Sequence, residues 1–341
     1  GYTTGALTYT SVSDTAANLA ANSGSYVNGS IPVTVSDAAT IAQLTTIDGL
    51  TTGTMTYGAV SDAAATLVTN AGSYVTGSHA VTVTGSATVA QLTTIDGYTT
   101  GALTYSSVSD TSANLVTNTG SYVTGSKNVT FSDTPTIAQL TTVDAYTTGT
   151  LSYTAVSDIA ANLASNVGGY VTGSKNVTAT DAAAILHLQT IRSYTTGTIT
   201  AASITDTAAN LAADAATNSG AGTYLAGATT VTVSGSATVA QLGAIDAAFT
   251  AGTPVYTTVS DTAANLATNT GGYVSGSHTV TVSDTATVTQ LNTIDGLTTG
   301  VITATTSGTN ASLATLTGVG NAYTLTAVSY THLRAHETRE D

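Results

Sequence analysis

Aspartates recur along this chain at a fixed spacing, and their carboxylates are the side chains best suited to chemistry. One series stands 48 residues apart at Asp14, Asp62, Asp110, Asp158 and Asp206. A second series begins at Asp37, between the first two. Hard cations such as Ca²⁺ bind carboxylate oxygens, but an Asp directly before a helical pattern is also a good N-cap. The spacing therefore supports two interpretations, a calcium-binding array or a series of helix caps.

Departures from this spacing favour capping. Gly85 and Gly235 replace the aspartate of the second series, and glycine is a tolerated N-cap but carries no carboxylate. Arg192 occupies the column of Asp48 and Asp96, where its charge would repel a bound metal. The sequence also lacks the Gly-Gly-x-Gly-x-Asp pattern of calcium-binding β-helical repeats. We therefore predict caps, no cofactor and no metal site, with calcium as the alternative.

The histidines give no indication of catalysis. His79 and His278 stand in one column of the repeat, which is otherwise filled by Ile31, Lys127 and Lys175. Such a mixture is typical of a solvated loop position. His187 replaces a glutamine that recurs in the other repeats, and no spacing singles out a Ser/His/Asp set. We predict no catalytic residue and a protein that is not an enzyme.

Tyrosine and asparagine columns suggest binding or scaffold roles. The tyrosine column is Tyr26, Tyr74, Tyr122 and Tyr170. We expect each ring at the edge of the core with its hydroxyl in solvent, and a sugar-binding aromatic strip is the alternative. The asparagine columns begin at Asn18 and Asn22, and we expect their amides to satisfy backbone groups of the loops.

Alternating hydroxyl residues form a third candidate surface. They are Thr34 and Ser36, Thr82 and Thr84, Thr130 and Ser132, and Thr232 and Ser234. The rows resemble the Thr-x-Thr faces of ice-binding solenoids, which implies ice binding as one alternative. The simpler expectation is that threonine is favourable on the solvent-exposed face of a strand.

These side chains must be positioned by short elements that repeat twice in each period. Alternation in Val33-Thr34-Val35-Ser36 predicts a strand with its valines inward, and Leu7 with Tyr9 predicts another in the other half. Corresponding inward pairs are Val81 and Val83, Val129 and Phe131, Val231 and Val233, Met55 and Tyr57, and Leu103 and Tyr105. Ile41, Leu44 and Ile47, with Ala42 beside them, predict a helix of about ten residues.

We expect Asp37 to be the N-cap of that helix, Gly49 its C′ residue, and Pro135 to lie in the first turn of a later copy. The pattern predicts an α/β solenoid of about thirteen stacked strand–helix coils of 23–25 residues on one parallel sheet. An all-β solenoid is the alternative, because Thr and Val are poor helix formers. A longer loop at Ala212 to Ala228 is our first candidate for a contact site.

We assign residues 1–327 to one repeat array, degenerate from about residue 300, and residues 328–341 to a non-native tail. Val328 to Thr338 resembles a translated sequencing adapter. The opening Gly1-Tyr-Thr-Thr-Gly5 matches Gly49-Leu-Thr-Thr-Gly53, so we expect a fragment that continues beyond both ends.

Composition limits the partners. The net charge of −14 argues against nucleic acid, because phosphate binding needs clustered cations. No apolar run is long enough for membrane insertion within the fragment. The absence of cysteine excludes disulfides and thiolate metal sites.

Residues 1 to about 320 resemble the Thr/Ala/Asp-rich arrays of very large bacterial surface or secreted proteins, through segments such as Ser13 to Ala20, Ser-Asp-Thr-Ala-Ala-Asn-Leu-Ala. The resemblance implies an adhesin, surface-layer or filament stalk, located outside the cell or on its surface. We predict a structural or adhesive segment acting as a spacer. The specific partner is unknown, and surface glycans or other cell-surface proteins are candidates. The alternative function is a ligand-binding array, for glycans or ice, on the Tyr or Thr/Ser faces.

Overall fold

A computed structural model describes residues 7–217 and 223–328 of the chain. The chain divides into two compact units, Gly1–Val156 and Ser157–Asp341. Each unit combines short α-helices with parallel strands. The α/β class predicted from the sequence is confirmed, and the all-β alternative is wrong.

The first unit contains six helices within its described residues. They are α1 (Ala16–Ala21), α2 (Ile41–Asp48), α3 (Ala64–Thr69), α4 (Val89–Asp96), α5 (Ser112–Thr117) and α6 (Ile137–Asp144). Its strands are β1 (Val12–Asp14), β2 (Val33–Val35), β3 (Met55–Thr56), β4 (Ala59–Ala63), β5 (Ala80–Thr84), β6 (Ser86–Ala87), β7 (Leu103–Thr104), β8 (Ser107–Asp110), β9 (Asn128–Phe131) and β10 (Leu151–Ser152). Strand β11 (Ala155–Asp158) spans the division between the units.

The second unit continues the same alternation. Its described helices are α7 (Ala160–Ser165), α8 (Ile185–Tyr194), α9 (Ala208–Thr217), α10 (Val239–Ala248), α11 (Ala263–Thr268), α12 (Val288–Asp295) and α13 (Asn310–Leu313). Its strands are β12 (Asn176–Ala183), β13 (Ile199–Thr207), β14 (Thr230–Ser234), β15 (Ser236–Ala237), β16 (Thr258–Asp261), β17 (Thr279–Ala286), β18 (Ile302–Gly308) and β19 (Ala322–Ala327). Residues from about 300, where the repeat decays, still form β18, α13 and β19.

The strands of the described residues form five separate parallel sheets rather than the single sheet predicted. Val12 pairs with Val33, and Val33 with Met55, so two pairing steps cover 43 residues while the sequence repeats after 48. Met55 therefore lies five residues before Val60, the copy of Val12. Pairing stops at Thr56 and begins again at Ala59 in another sheet. A single bridge between Ala39 and Val60 spans this break. In β12–β13 and β17–β18 a register shift absorbs the same mismatch, and the strands stay in one sheet.

Strand alternation is confirmed in one half of the repeat and misplaced in the other. Val33 and Val35 are buried and Thr34 is exposed, as predicted. The copies Val81 and Val83, Val129 and Phe131, and Val231 and Val233 are also buried. In the other half, Leu7 is exposed and Met55 is half-buried. The buried residue of that half is Val60, because the inward-facing strand is β4. Leu103 and Tyr105 are likewise half-buried, whereas Val108 is buried.

The helix around Leu44 is present, but it begins and ends differently from the prediction. Ile41, Leu44 and Ile47 are buried, and Ala42 is exposed. The N-cap is Thr40, not Asp37, and it forms a capping box with Gln43. Gly49 is the C-cap in right-handed helical conformation rather than a left-handed C′ residue. Pro135 precedes the N-cap Thr136 and lies outside α6.

Two kinds of coil alternate, and we name them by their helices. A box coil has a helix opened by a Thr-x-x-Gln capping box, as in α2, α4, α6, α10 and α12. A short-helix coil has a helix of six residues followed by an Asn in left-handed conformation, as in α1, α3, α5, α7 and α11. Helices this short are unstable alone, so packing of their buried leucines must hold them.

Candidate functional site

The aspartates cap helices, but each serves the helix of the preceding coil. The backbone N–H of Ala16, the first residue of α1, donates to Asp37 Oδ1 at 2.7 Å. Val89, the first residue of α4, donates to Asp110 Oδ2 at 3.0 Å. The same contact joins Ile41 to Asp62, Ser112 to Asp133, Ala160 to Asp181, Ile185 to Asp206, Val239 to Asp261 and Ala263 to Asp284. Each carboxylate therefore links two consecutive coils.

In short-helix coils the second carboxylate oxygen is also occupied. Asp110 Oδ1 accepts from the backbone N–H of Thr111 and from Asn114 Nδ2, both at 2.8 Å. At Asp14 the equivalent bonds from Asn18 and Thr15, in that order of effect, lower the pKa of the carboxyl. The Asn18 column thus binds carboxylates rather than the loop backbone that we predicted.

This arrangement supports capping over calcium. The carboxylate oxygens of Asp110 accept N–H donors, which is the contact that capping requires. Gly85 leaves α3 without a cross-coil carboxylate, and its φ of +79° suits glycine. The Thr-x-x-Gln signature of the true caps was present in the sequence, and we missed it.

The Asn22 column does bind loop backbone, as predicted. Asn118, its copy after α5, adopts φ 45°. Its Nδ2 donates to the carbonyl of Val123 at 3.0 Å, and its Oδ1 accepts from the Val123 N–H at 2.8 Å. The same pair of bonds follows α1, α3, α7 and α11. The amide therefore closes the loop that leads to the next strand.

Sequence reasoning also missed a threonine column that joins coils. Buried Thr51 donates its hydroxyl to the carbonyls of Gly29 at 3.2 Å and Ile31 at 2.7 Å, and it accepts from the Gly53 N–H at 2.9 Å. Thr99, Thr147, Thr195 and Thr298 make the same contacts. A Cβ on Gly53 would lie 2.5 Å from the Ile31 carbonyl oxygen. The recurring Thr-Thr-Gly sequence was the available signal.

The tyrosine column lies deeper than predicted. Tyr74, Tyr122 and Tyr170 are buried, whereas Tyr26 is half-exposed. The Tyr122 hydroxyl donates to Asp96 Oδ2 at 3.3 Å rather than pointing into solvent. Burial, together with nearby Asp96, raises the pKa of Tyr122. A second tyrosine, Tyr105, packs edge-on at 6.3 Å and donates to the Tyr122 carbonyl at 2.9 Å.

The histidine and lysine column stacks on these second tyrosines and is not a simple solvated position. The His79 ring lies 4.3 Å from the Tyr57 ring at an interplanar angle of 12°. Lys127 Nζ lies 4.4 Å from the centre of the Tyr105 ring and donates to the Tyr105 carbonyl at 2.6 Å. His187 is half-buried in α8, where the capping box is missing.

The hydroxyl rows are exposed, apart from half-buried Thr232. The exposed members are Thr34, Ser36, Thr82, Thr84, Thr130, Ser132 and Ser234. Thr34 lies between Ser13 and Thr56 on neighbouring strands. Exposure is expected both for a wet strand face and for an ice-binding face, so ice binding stays a prediction.

The segment Ala212–Ala228 is partly helical rather than a loop. Helix α9 extends to Thr217, and residues 218–222 lie outside the described residues. Buried Asp214 accepts from the Thr223 hydroxyl at 2.7 Å and the Tyr224 N–H at 3.1 Å. A cleft of about 880 Å³ lies beside Tyr224 and Arg192. The Arg192 guanidinium donates to the Thr195 and Gly197 carbonyls, so it takes a scaffold role.

No helix in the described residues has the length and apolar character needed to cross a bilayer.

No protein-family model matches the chain, and comparisons with curated proteins and with solved structures found no similar protein.

Proposed function

We propose that this chain is a structural or adhesive segment of a large extracellular or cell-surface protein, in which it acts as an elongated spacer or stalk. Within this proposal each unit is an α/β solenoid of stacked strand–helix coils. The observation that carries it is the cross-coil carboxylate bond, such as Ala16 N–H to Asp37, repeated between consecutive coils of both units.

The recurring polar side chains support a scaffold role. Asp37 and Thr51 each bond to the backbone of the preceding coil, and Tyr57 donates to the Tyr74 carbonyl at the end of its own coil. Their copies repeat these contacts, so the polar groups that catalysis would require are used to join coils. A chain built from nearest-neighbour contacts can be lengthened by whole repeats without a change in its local structure.

Composition and resemblance support the location. The chain has no cysteine and few charged residues, and it is rich in Thr, Ser, Ala and Gly. This composition matches the bacterial surface arrays that residues 1 to about 320 resemble. Candidate partners at either end of such a spacer are surface glycans and other cell-surface proteins.

The test is to insert one and then two further copies of residues 59–106 into the first unit. Each copy adds two coils, so the longest dimension should grow by about 10 Å per copy, from ~4.8 Å between paired strands. Small-angle X-ray scattering measures this growth together with the cross-sectional radius, which should stay constant. Growth in cross-section instead of length would contradict a spacer.

A further inference from the structure

Tyr273 in the second unit differs from the buried copies of the tyrosine column, and it lines two clefts. Tyr26 is also exposed, beside a smaller cleft of about 250 Å³, but no box coil precedes it in the described residues. Tyr74, Tyr122 and Tyr170 are 7%, 8% and 9% exposed, whereas Tyr273, their copy in the second unit, is half-buried. A cleft of about 340 Å³ and another of about 410 Å³ are both lined by Tyr273 and Gly271. Two independent departures from the repeat explain why this ring is accessible.

The first departure is the loss of a side chain in α10. Gly243 stands where the preceding box coils of the first unit have Thr45, Thr93 and Thr141. A Cβ at Gly243 would lie 3.8 Å from Tyr273 Cε2 and 3.9 Å from its hydroxyl. Because glycine ends at the backbone, the space beside the ring stays open and forms the smaller cleft.

The second departure is a longer loop after α10. Nine residues separate Asp246 from Tyr256, whereas eight separate Asp48 from Tyr57. Pro254 has no N–H to donate, and the backbone pairing falls on Val255, which exchanges 2.8 Å bonds with Val231 and Val233. The displaced loop lines the larger cleft together with Asp246 and His278.

The chemistry of these clefts combines an aromatic ring with a hydrogen-bond acceptor. The Tyr273 hydroxyl donates to Asp246 Oδ2 at 3.2 Å, which orients the carboxylate beside the ring. Tyr256 packs edge-on against Tyr273 at 6.4 Å, and His278 stacks on Tyr256 at 4.3 Å. Among the described residues, no lysine or arginine lines either cleft. Asp246 and the net charge of −14 both disfavour an anionic ligand.

We propose that the Tyr273 clefts bind a neutral saccharide. A sugar ring offers a C–H face that packs on tyrosine and hydroxyl groups that donate to the carboxylate of Asp246. The two cleft volumes fall within the range of about 300–1,000 Å³ that is typical of small-molecule sites. This binding activity goes beyond the spacer role, and it resides in the one tyrosine copy shaped by both departures.

The test compares the wild-type protein with Gly243→Thr, which restores the residue of the other copies. The backbone of Gly243 is not left-handed, so threonine fits α10 as it fits α2. Isothermal titration with cellotetraose, laminaritetraose, maltotetraose and mannotetraose should show that at least one binds the wild type. Its affinity should fall about tenfold or more in Gly243→Thr and in Asp246→Asn, a loss of at least ~1.4 kcal/mol.

Thr141→Gly in α6 is the matched control, since it makes the reverse change in an ordinary repeat, and it should leave binding unchanged. Circular dichroism verifies that each variant folds. If Gly243→Thr does not fold, the affinity of Asp246→Asn for the sugar tests the proposal. The proposal is overturned if none of the four sugars binds the wild type, or if binding survives in every folded cleft variant. Tighter binding of trigalacturonate than of the neutral sugars also overturns it. None of these results bears on length growth, which tests the spacer separately.

Discussion

At the residue scale, periodicity identifies a repeated role but not the atoms that fulfil it. Asp110 was recognisable as a cap from its position before α5. Its Oδ2 instead accepts from Val89, 21 residues earlier in the chain. Both residues recur with the same period, so the sequence alone could not distinguish a cap within a coil from a cap between coils. Only the stacking of strands fixes which helix start lies beside which carboxylate.

We predict that Asp110→Ala destabilises the protein by about 1.5–3 kcal/mol, the usual contribution of hydrogen bonds to a charged group. The change removes the acceptor of the Val89, Thr111 and Asn114 donors. Asp110 is buried, so water replaces the carboxylate poorly. Equilibrium denaturation in urea measures the change in unfolding free energy.

Asp48→Ala is the matched control, because it removes the same charge from an exposed residue at the end of α2. Its effect should stay within about 0.5 kcal/mol, as for ordinary surface substitutions. Equal losses in the two variants would mean that net charge, and not the cross-coil bond, determines the effect of Asp110.

At the element scale, the apolar stripe of each helix was predictable and its ends were not. Ile41, Leu44 and Ile47 follow helical spacing, and burial confirmed them. Asp37 and Thr40 are both good N-caps, and choosing between them needed the capping-box partner Gln43. The division of the described strands into five sheets was also hidden, because it depends on where the pairing register shifts, and the 48-residue period does not contain that information.

We predict that two substitutions of Asn118 separate the contributions that end helix α5. Asn118→Gly keeps the left-handed conformation but loses both bonds to Val123, which should destabilise by about 0.5–1.5 kcal/mol per bond. Asn118→Ala loses the same bonds and adds the strain of a Cβ at φ 45°, a further ~1–2 kcal/mol. Urea denaturation of both variants gives the two values. An alanine variant as stable as the glycine variant would show that the backbone relaxes out of the left-handed region.

At the whole-molecule scale, the candidate binding site lies where the repeats stop matching. The sequence drew attention to Ala212–Ala228, the larger insertion, whose described part is scaffold around buried Asp214. Two smaller departures, the single extra residue before Tyr256 and the change to Gly243, did not stand out in the sequence. They matter together because the fold brings both against Tyr273.

The alternation of coil types predicts which lengths of chain can be removed. In the first unit α1 packs on α2, α3 on α4, and α5 on α6. The helix of each short-helix coil therefore packs on the helix of a box coil. Deleting residues 59–106 removes one period and restores these pairings across the junction. We expect that variant to unfold in one cooperative transition. The slope of its unfolding free energy against denaturant concentration should fall in proportion to the loss of surface that unfolding exposes.

Deleting residues 83–106 removes half as much chain but takes away the box helix α4, which places the short helices α3 and α5 in succession. We expect this variant to melt at a lower temperature than the variant lacking the full period, although it keeps 24 more residues. The reason is that nearest-neighbour contacts between coils, rather than chain length, determine the stability of a repeat array. Thermal unfolding followed by circular dichroism ranks the two variants. If the half-period deletion were the more stable, the two coil types would be interchangeable, and the 48-residue double repeat would not be the structural unit.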